Sequence, residues 1–244
     1  MGGGGGAVVI TLLVPPGAAA GRREQLDEAE QHHLRVRRAQ PGELVGLRDG
    51  AGLVGTGRLV AVGRDWQVDV ESAESRGRPP GLTLAVGAGD RERFAWVVEK
   101  AAELGVTRVV PLVTGRTGGV ATRLREQHLA KLRRQALEAT KQCGAAWATG
   151  VSAPIELTDF ARHLPPGSHW LADAAGELPP GTLDSAPVTV VVGPEGGLAD
   201  EERAALVAAG FRPVALAPDT LRFETAALAA AAVVSAARLR GTHG

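Results

Sequence analysis

Between residues 44 and 70 the hydrophobic positions come in short runs. Runs at 44–47, 53–62 and 66–70 are separated by Pro41-Gly42, Asp49-Gly50 and Gly63-Arg64-Asp65, all of which are turn chemistry. In Trp66-Gln67-Val68-Asp69-Val70 apolar and polar residues alternate, which predicts a strand with one buried face. A helical stretch, about residues 27–38, interrupts the strands. Residues 7–74 are therefore expected to form a small β-barrel.

The period changes after Ser75-Arg76-Gly77-Arg78-Pro79-Pro80-Gly81, a polar, proline-rich stretch that reads as a linker. From 82 to 241 strands alternate with helices. Strands are predicted at 82–86, 108–113, 169–172, 188–192 and 213–217. Helices are predicted at 90–104, 123–142, 200–209 and 224–239. In the first helix Phe94, Val97, Val98, Ala101 and Leu104 share a face, and Gly105 stops it. Such alternation predicts an α/β domain with a parallel sheet covered on both sides.

Composition then narrows the options. The single cysteine, Cys143, excludes a disulfide framework and a cysteine-based zinc site, and it reads as a small buried residue. No metal site is expected, because His32 and His33 have no ligand partners at suitable spacing. No apolar run approaches the roughly 18 residues of a membrane span, and the N-terminal glycine run (2–6) does not resemble a secretion signal. The chain is expected to be cytoplasmic. Formal net charge is zero, which excludes a generally basic coat, but the charges are unevenly spread. Residues 123–141 carry six bases against two acids, whereas 173–202 carry seven acids and no base.

Two stretches are placed for chemistry. Val188-Thr189-Val190-Val191-Val192 runs into Gly193-Pro194-Glu195-Gly196-Gly197 and then into a helix. Ligands of parallel sheets bind at the carboxyl ends of strands, and glycines let backbone approach them closely. The turn lacks the lysine of a P-loop, and the acids after it would repel an anion, so it reads either as a ligand loop or as a plain strand-to-helix turn. The second stretch runs from Leu216 to Ala227. Arg222 lies at a helix N-terminus, where the dipole disfavours a cation. It either has a specific partner or is a surface arginine paired with Asp219 or Glu224. On the long helix, Lys131, Arg134 and Lys141 share a face, either an ordinary solvated one or a local basic patch, and Arg35, Arg37 and Arg38 lie together on the early helix.

Together these residues resemble the RsmE family, methyltransferases acting on N3 of a uridine in 16S ribosomal RNA. The resemblance is carried by Gly193-Pro194-Glu195-Gly196-Gly197 and Leu221-Arg222-x-Glu224-Thr225-Ala226. Gly89-Asp90-Arg91, Glu99-Lys100-Ala101-x-Glu103-Leu104-Gly105, Glu138-Ala139-x-Lys141-Gln142-Cys143-Gly144 and His32, Arg35, Val36 and Arg38 support it. It implies a PUA-like β-barrel followed by a SPOUT domain with a C-terminal deep trefoil knot, and a homodimer. It also implies S-adenosylmethionine (SAM) as cofactor, held by Ala172, Gly193, Pro194, Glu195, Gly196, Gly197, Leu216, Leu221, Arg222 and Thr225. Arg222 would stabilise the developing charge, and Glu224 would either take the proton or orient Arg222. The RNA partner, 16S rRNA or the assembled small subunit, would meet Arg35, Arg37, Arg38, Arg116, Lys131, Arg134, Lys141 and Gln142. Departures from the family pattern fall at Ala88, Gly115, Ala145, Ala199 and Phe223. The first three reduce the expected RNA contacts, and Ala199 leaves Asp200 as the expected helix cap. Two alternatives are a SPOUT enzyme for another base or a ribose hydroxyl, and a non-catalytic RNA-binding assembly protein.

Overall fold

The computed structural model describes residues 10–117 and 124–242; the glycine run and Arg123 lie outside the described residues. The chain divides into two compact units, 1–78 with 140–148, and 79–139 with 149–244. Residues 140–148, which the pattern places in the second domain, group with the first unit. Within that unit Arg48 Nε donates to the Gly144 carbonyl at 3.1 Å, and Gly52 N donates to the Ala146 carbonyl at 2.9 Å.

The first unit contains β1 (Thr11–Leu13), β2 (Arg23–Gln25), α1 (Glu28–Val36), β3 (Leu44–Arg48), β4 (Leu53–Val62) and β5 (Asp65–Ser75). They form one five-stranded sheet in the order β1-β3-β4-β5-β2, antiparallel except for β1 with β3. The pattern missed β1 and β2, whose three residues are too few to show a period. Asp27 caps α1 by accepting from Glu30 N at 2.8 Å, and Leu34 on its inner face joins Leu12, Leu47, Leu59 and Val68 in the core. Next to the register shift, where Glu71 is the extra residue of β5, a Cβ on Gly57 of β4 would lie 2.6 Å from the Asp69 carbonyl oxygen, so glycine is needed there.

The second unit contains β6 (Leu82–Gly87), α2 (Arg91–Glu103), β7 (Arg108–Val113), α3 (Glu126–Cys143, its last turn belonging to the first unit), β8 (Gly150–Val151), β9 (Ile155–Glu156) and α4 (Leu157–Arg162). They are followed by β10 (Ser168–Glu177), β11 (Val188–Val192), α5 (Asp200–Ala208), β12 (Arg212–Val214) and α6 (Phe223–Thr242). The sheet order is β12-β10-β11-β6-β7-β8, with β9 also on β7, and every pair is parallel. The expected α/β architecture with a parallel sheet is therefore present.

Alternation along β6 and β11 builds two cores. Leu82, Leu84, Val86, Val188, Val190 and Val192 pack under α2 and α6, while Ala85 and Val191 pack under α4 and α5. Strand β11 is buried throughout because it lies between β10 and β6 with helices on both faces. Helix α6 is rich in alanine, and Ala227, Ala230, Ala231 and Val234 are fully buried. Ser235, which interrupts its apolar run, donates to the Leu104 carbonyl at 2.6 Å.

Candidate functional site

Parallel strands end on the same side of a sheet, and β10, β11 and β12 are adjacent. Their following segments therefore converge. They enclose a cleft of about 480 Å³ lined by Ala172 and Asp173, by Gly193, Pro194, Glu195 and Gly197, and by Leu216, Asp219, Leu221 and Arg222. Leu171, Val192, Leu198 and Phe223 supply apolar wall. Of the ten residues expected to hold a cofactor, Gly196 and Thr225 do not line this cleft.

The turn is held by interactions that need its particular residues. A Cβ on Gly87 would lie 2.6 Å from Pro194 Cδ, and the Glu195 carboxylate fills the space that a Cβ on Gly89 would need. Gly197 has φ +71°, a left-handed conformation that other residues adopt only with strain. Arg116 Nη1 donates to the Gly196 carbonyl at 2.6 Å, so this arginine, expected at the RNA, braces the glycine turn. Glu202 adds a second brace: its Oε1 accepts from Gly115 N and its Oε2 from Ala199 N, both at 2.8 Å. The α5 cap is therefore Ala199 with Glu202 reaching back to it, and not Asp200 as expected.

Charge in the cleft is mixed. Asp173 accepts from Arg203 Nε at 2.6 Å and from Ala175 N at 2.9 Å. Burial pushes its carboxyl up, but the Ala175 amide and the Arg203 guanidinium outweigh burial and hold it below the usual range. Arg222 is exposed and, among the described residues, makes no side-chain hydrogen bond or ion pair. Its pairing with Asp219 or Glu224 is not formed.

Glu224 is only 9% exposed. Its Oε1 lies 3.4 Å from Arg93 Nη1, and its Oε2 is buried without a hydrogen-bond partner. With Glu92, Arg93, Trp96, Arg222 and Thr225 it lines a second depression of about 570 Å³, and Arg222 is the residue common to both cavities.

Sequence reasoning missed Asp173, Arg203, Arg93 and Trp96. The last two carried a signal. Arg93 sits in the first turn of α2, where a cation is disfavoured, and Trp96 falls off the helix's apolar face. Nothing in the pattern marks Asp173 and Arg203, which are 30 residues apart and meet only through the fold.

The expected RNA contacts scatter. Arg35, Arg38, Lys131, Arg134 and Gln142 are exposed, and Arg37 is ion-paired with Glu43. Lys141 must be removed from the list. It is 8% exposed and its Nζ lies 2.7 Å from Glu30 Oε1 within the first unit, so it faces protein and not solvent. Cys143 is exposed rather than buried, because it sits in the open last turn of α3 with its thiol donating to the Thr140 carbonyl at 3.4 Å. Ala88 is fully buried in the core that holds Phe94.

An RNA methyltransferase domain family matches residues 77–235, and an RNA methyltransferase PUA domain family matches residues 26–65. This chain belongs to the RNA methyltransferase family. The family member is 29% identical over 222 residues to the ribosomal RNA small subunit methyltransferase E of Synechocystis, covering 86% of this chain and 72% of the relative. It is 29% identical over 218 residues to the protein of that name from Aquifex aeolicus, covering 86% and 92%. The Neisseria gonorrhoeae ribosomal RNA small subunit methyltransferase E, solved bound to SAM, superposes with a TM-score of 0.83 at 26% identity, covering 92% of this chain and 96% of that one. A Legionella pneumophila protein in complex with SAM gives 0.81 at 29% identity, covering 95% and 99%. The resemblance to the RsmE family is thus borne out. Among the described residues, no helix of this RNA methyltransferase is long and apolar enough to cross a membrane, and no cluster of His, Cys, Asp or Glu could hold a metal.

Proposed function

We propose that the chain is a SAM-dependent methyltransferase acting on N3 of a uridine in 16S ribosomal RNA, free or in the assembled small subunit. The observation that carries this reading is the cleft at the strand ends, with an unpartnered arginine on its rim. The residues fit the cofactor. Leu198, Leu216 and Leu221 suit an adenine ring, and Asp173, Glu195 and Asp219 suit the sulfonium and ammonium charges. The volume is in the range of small-molecule sites. SAM-bound relatives support the same assignment.

SAM supplies the methyl group when bound; the rest falls to the chain. The backbone of the 193–197 turn and the 216–221 loop orients the cofactor, so the reacting atoms meet in line. As the uridine N3–carbon bond forms, the carbon–sulfur bond breaks and leaves a neutral thioether. The N3 proton passes to Glu224, whose Oε2 is unoccupied. Negative charge spreads over the uracil carbonyls during this step, and Arg222 stabilises it. The finer architecture we infer is a PUA-like barrel over 7–74, a 75–81 linker and a SPOUT domain over 82–241 with its C-terminal segment in a trefoil knot. The reading extends to a cytoplasmic homodimer, as the RsmE resemblance implies.

The test is nucleoside mass spectrometry of 16S rRNA from a strain lacking the gene and from the complemented strain. Loss and return of one 3-methyluridine is the expected result. An unchanged 3-methyluridine content, or loss of a different methylated nucleoside, rejects the reading.

A further inference from the structure

Buried polar atoms are nearly always hydrogen-bonded, so an orphan carboxylate oxygen beside an open depression marks a place where a ligand donor belongs. Glu224 Oε2 is such an atom. The depression that Glu224 lines also presents two guanidinium groups, Arg93 and Arg222, and an indole, Trp96, which is 45% exposed although it is a large apolar side chain. The Watson–Crick edge of uracil reads acceptor, donor, acceptor: one carbonyl, the N3–H, the other carbonyl. A carboxylate acceptor with two arginine donors is the complement of that edge, and an exposed aromatic face is what an unstacked RNA base stacks on.

We propose that this depression seats the target uracil, with Trp96 stacking on the ring, Glu224 Oε2 accepting from N3–H, and Arg93 and Arg222 donating to the two carbonyls. The inference rests on the uridine-N3 reading and adds two residues, Arg93 and Trp96, that set base identity. Arg222 lines both cavities, so the base seated here adjoins the cofactor cleft. Cytosine fits poorly, because its N3 lone pair would face the carboxylate and its amino group a guanidinium. The methylated product fits poorly too, because it has lost the donor that Glu224 holds, and this favours release.

The experiment uses the full chain saturated with S-adenosylhomocysteine. It is titrated with uridine, 3-methyluridine and cytidine 5′-monophosphates while tryptophan fluorescence is followed. Uridine monophosphate should quench saturably, and the other two should bind on the order of tenfold weaker, the cost of mismatched base-edge contacts. Trp96→Leu should abolish the quenching, and Arg93→Gln should erase most of the preference over cytidine monophosphate, with S-adenosylhomocysteine affinity unchanged in both. Absence of saturable quenching by uridine monophosphate overturns the proposal. So does the parent's preference persisting in both variants while the rRNA product is 3-methyluridine. Trp96→Leu changing the sedimenting species with that preference intact assigns the face to a second copy of the chain, which also overturns it. A product other than 3-methyluridine rejects the underlying reading instead.

Discussion

The turn at 193–197 and the basic stripe on α3 use opposite parts of the polypeptide. In the turn, the useful groups are main-chain ones, and the side chains are chosen to be absent. Gly197 is left-handed, and Gly87 and Gly89 leave room for Pro194 and Glu195. On α3 the useful groups are the far ends of long side chains. Lys141 lies within about 80° of Lys131 around the helix, at 100° per residue. Yet Lys131 is exposed and Lys141 is buried against Glu30. The difference is therefore not the face but what packs on the helix's last turn. A backbone device demands its residues wherever it occurs, whereas a charge stripe means only what its surroundings make of it.

The largest expected effect separates the two lysines. Lys141→Met keeps the volume but takes from the buried Glu30 carboxylate the ammonium that lies 2.7 Å from it, and breaking a buried pair typically costs about 3–5 kcal/mol. Urea denaturation should show the midpoint falling sharply, with no change in the RNA salt slope of the folded protein. Lys131→Met should leave the midpoint where it is. Equal midpoints for both variants would return Lys141 to the solvated stripe. Next comes Arg222→Ala. Losing a donor whose hydrogen bond strengthens as negative charge develops on the uracil costs on the order of 100- to 1000-fold in turnover, a larger loss than in RNA affinity. Near-normal turnover at saturating SAM and RNA would make Arg222 structural.

The glycines of the turn should rank below that, and unequally. Gly197→Val forces a branched residue to φ +71°, at about 1–3 kcal/mol, and calorimetry should show SAM affinity reduced accordingly. A Cβ at Gly196 meets only the Arg116 side chain, 3.4 Å away at nearest, so Gly196→Ala should bind SAM nearly as the parent does. Equal losses would show that backbone approach, not φ, is what the turn protects. This contrast also marks how far the sequence could be read. The elements with a long period, β11 and α2, fall where the pattern puts them, and so do most residues of the two loop motifs. Strands β1, β2, β8 and β9 are too short to show a period. The Asp173–Arg203 pair, the Arg116 brace and the burial of Lys141 depend on which distant segments meet, and no local spacing encodes that.

The smallest effect concerns the bases that remain exposed. Arg38 and Arg134 make no ion pair among the described residues, so each can replace a counterion on an RNA phosphate. Arg134→Glu and Arg38→Glu should each lower the slope of log affinity against log salt by about one, leaving SAM affinity untouched. Arg37 offers an internal control. It is already paired with Glu43, so Arg37→Gln should change the slope less than either reversal. If all three variants keep the parent's slope, these arginines are ordinary solvated charges. The RNA would then be held by the residues around the two cavities, and the backbone turn would be the one region of the pair that carries function.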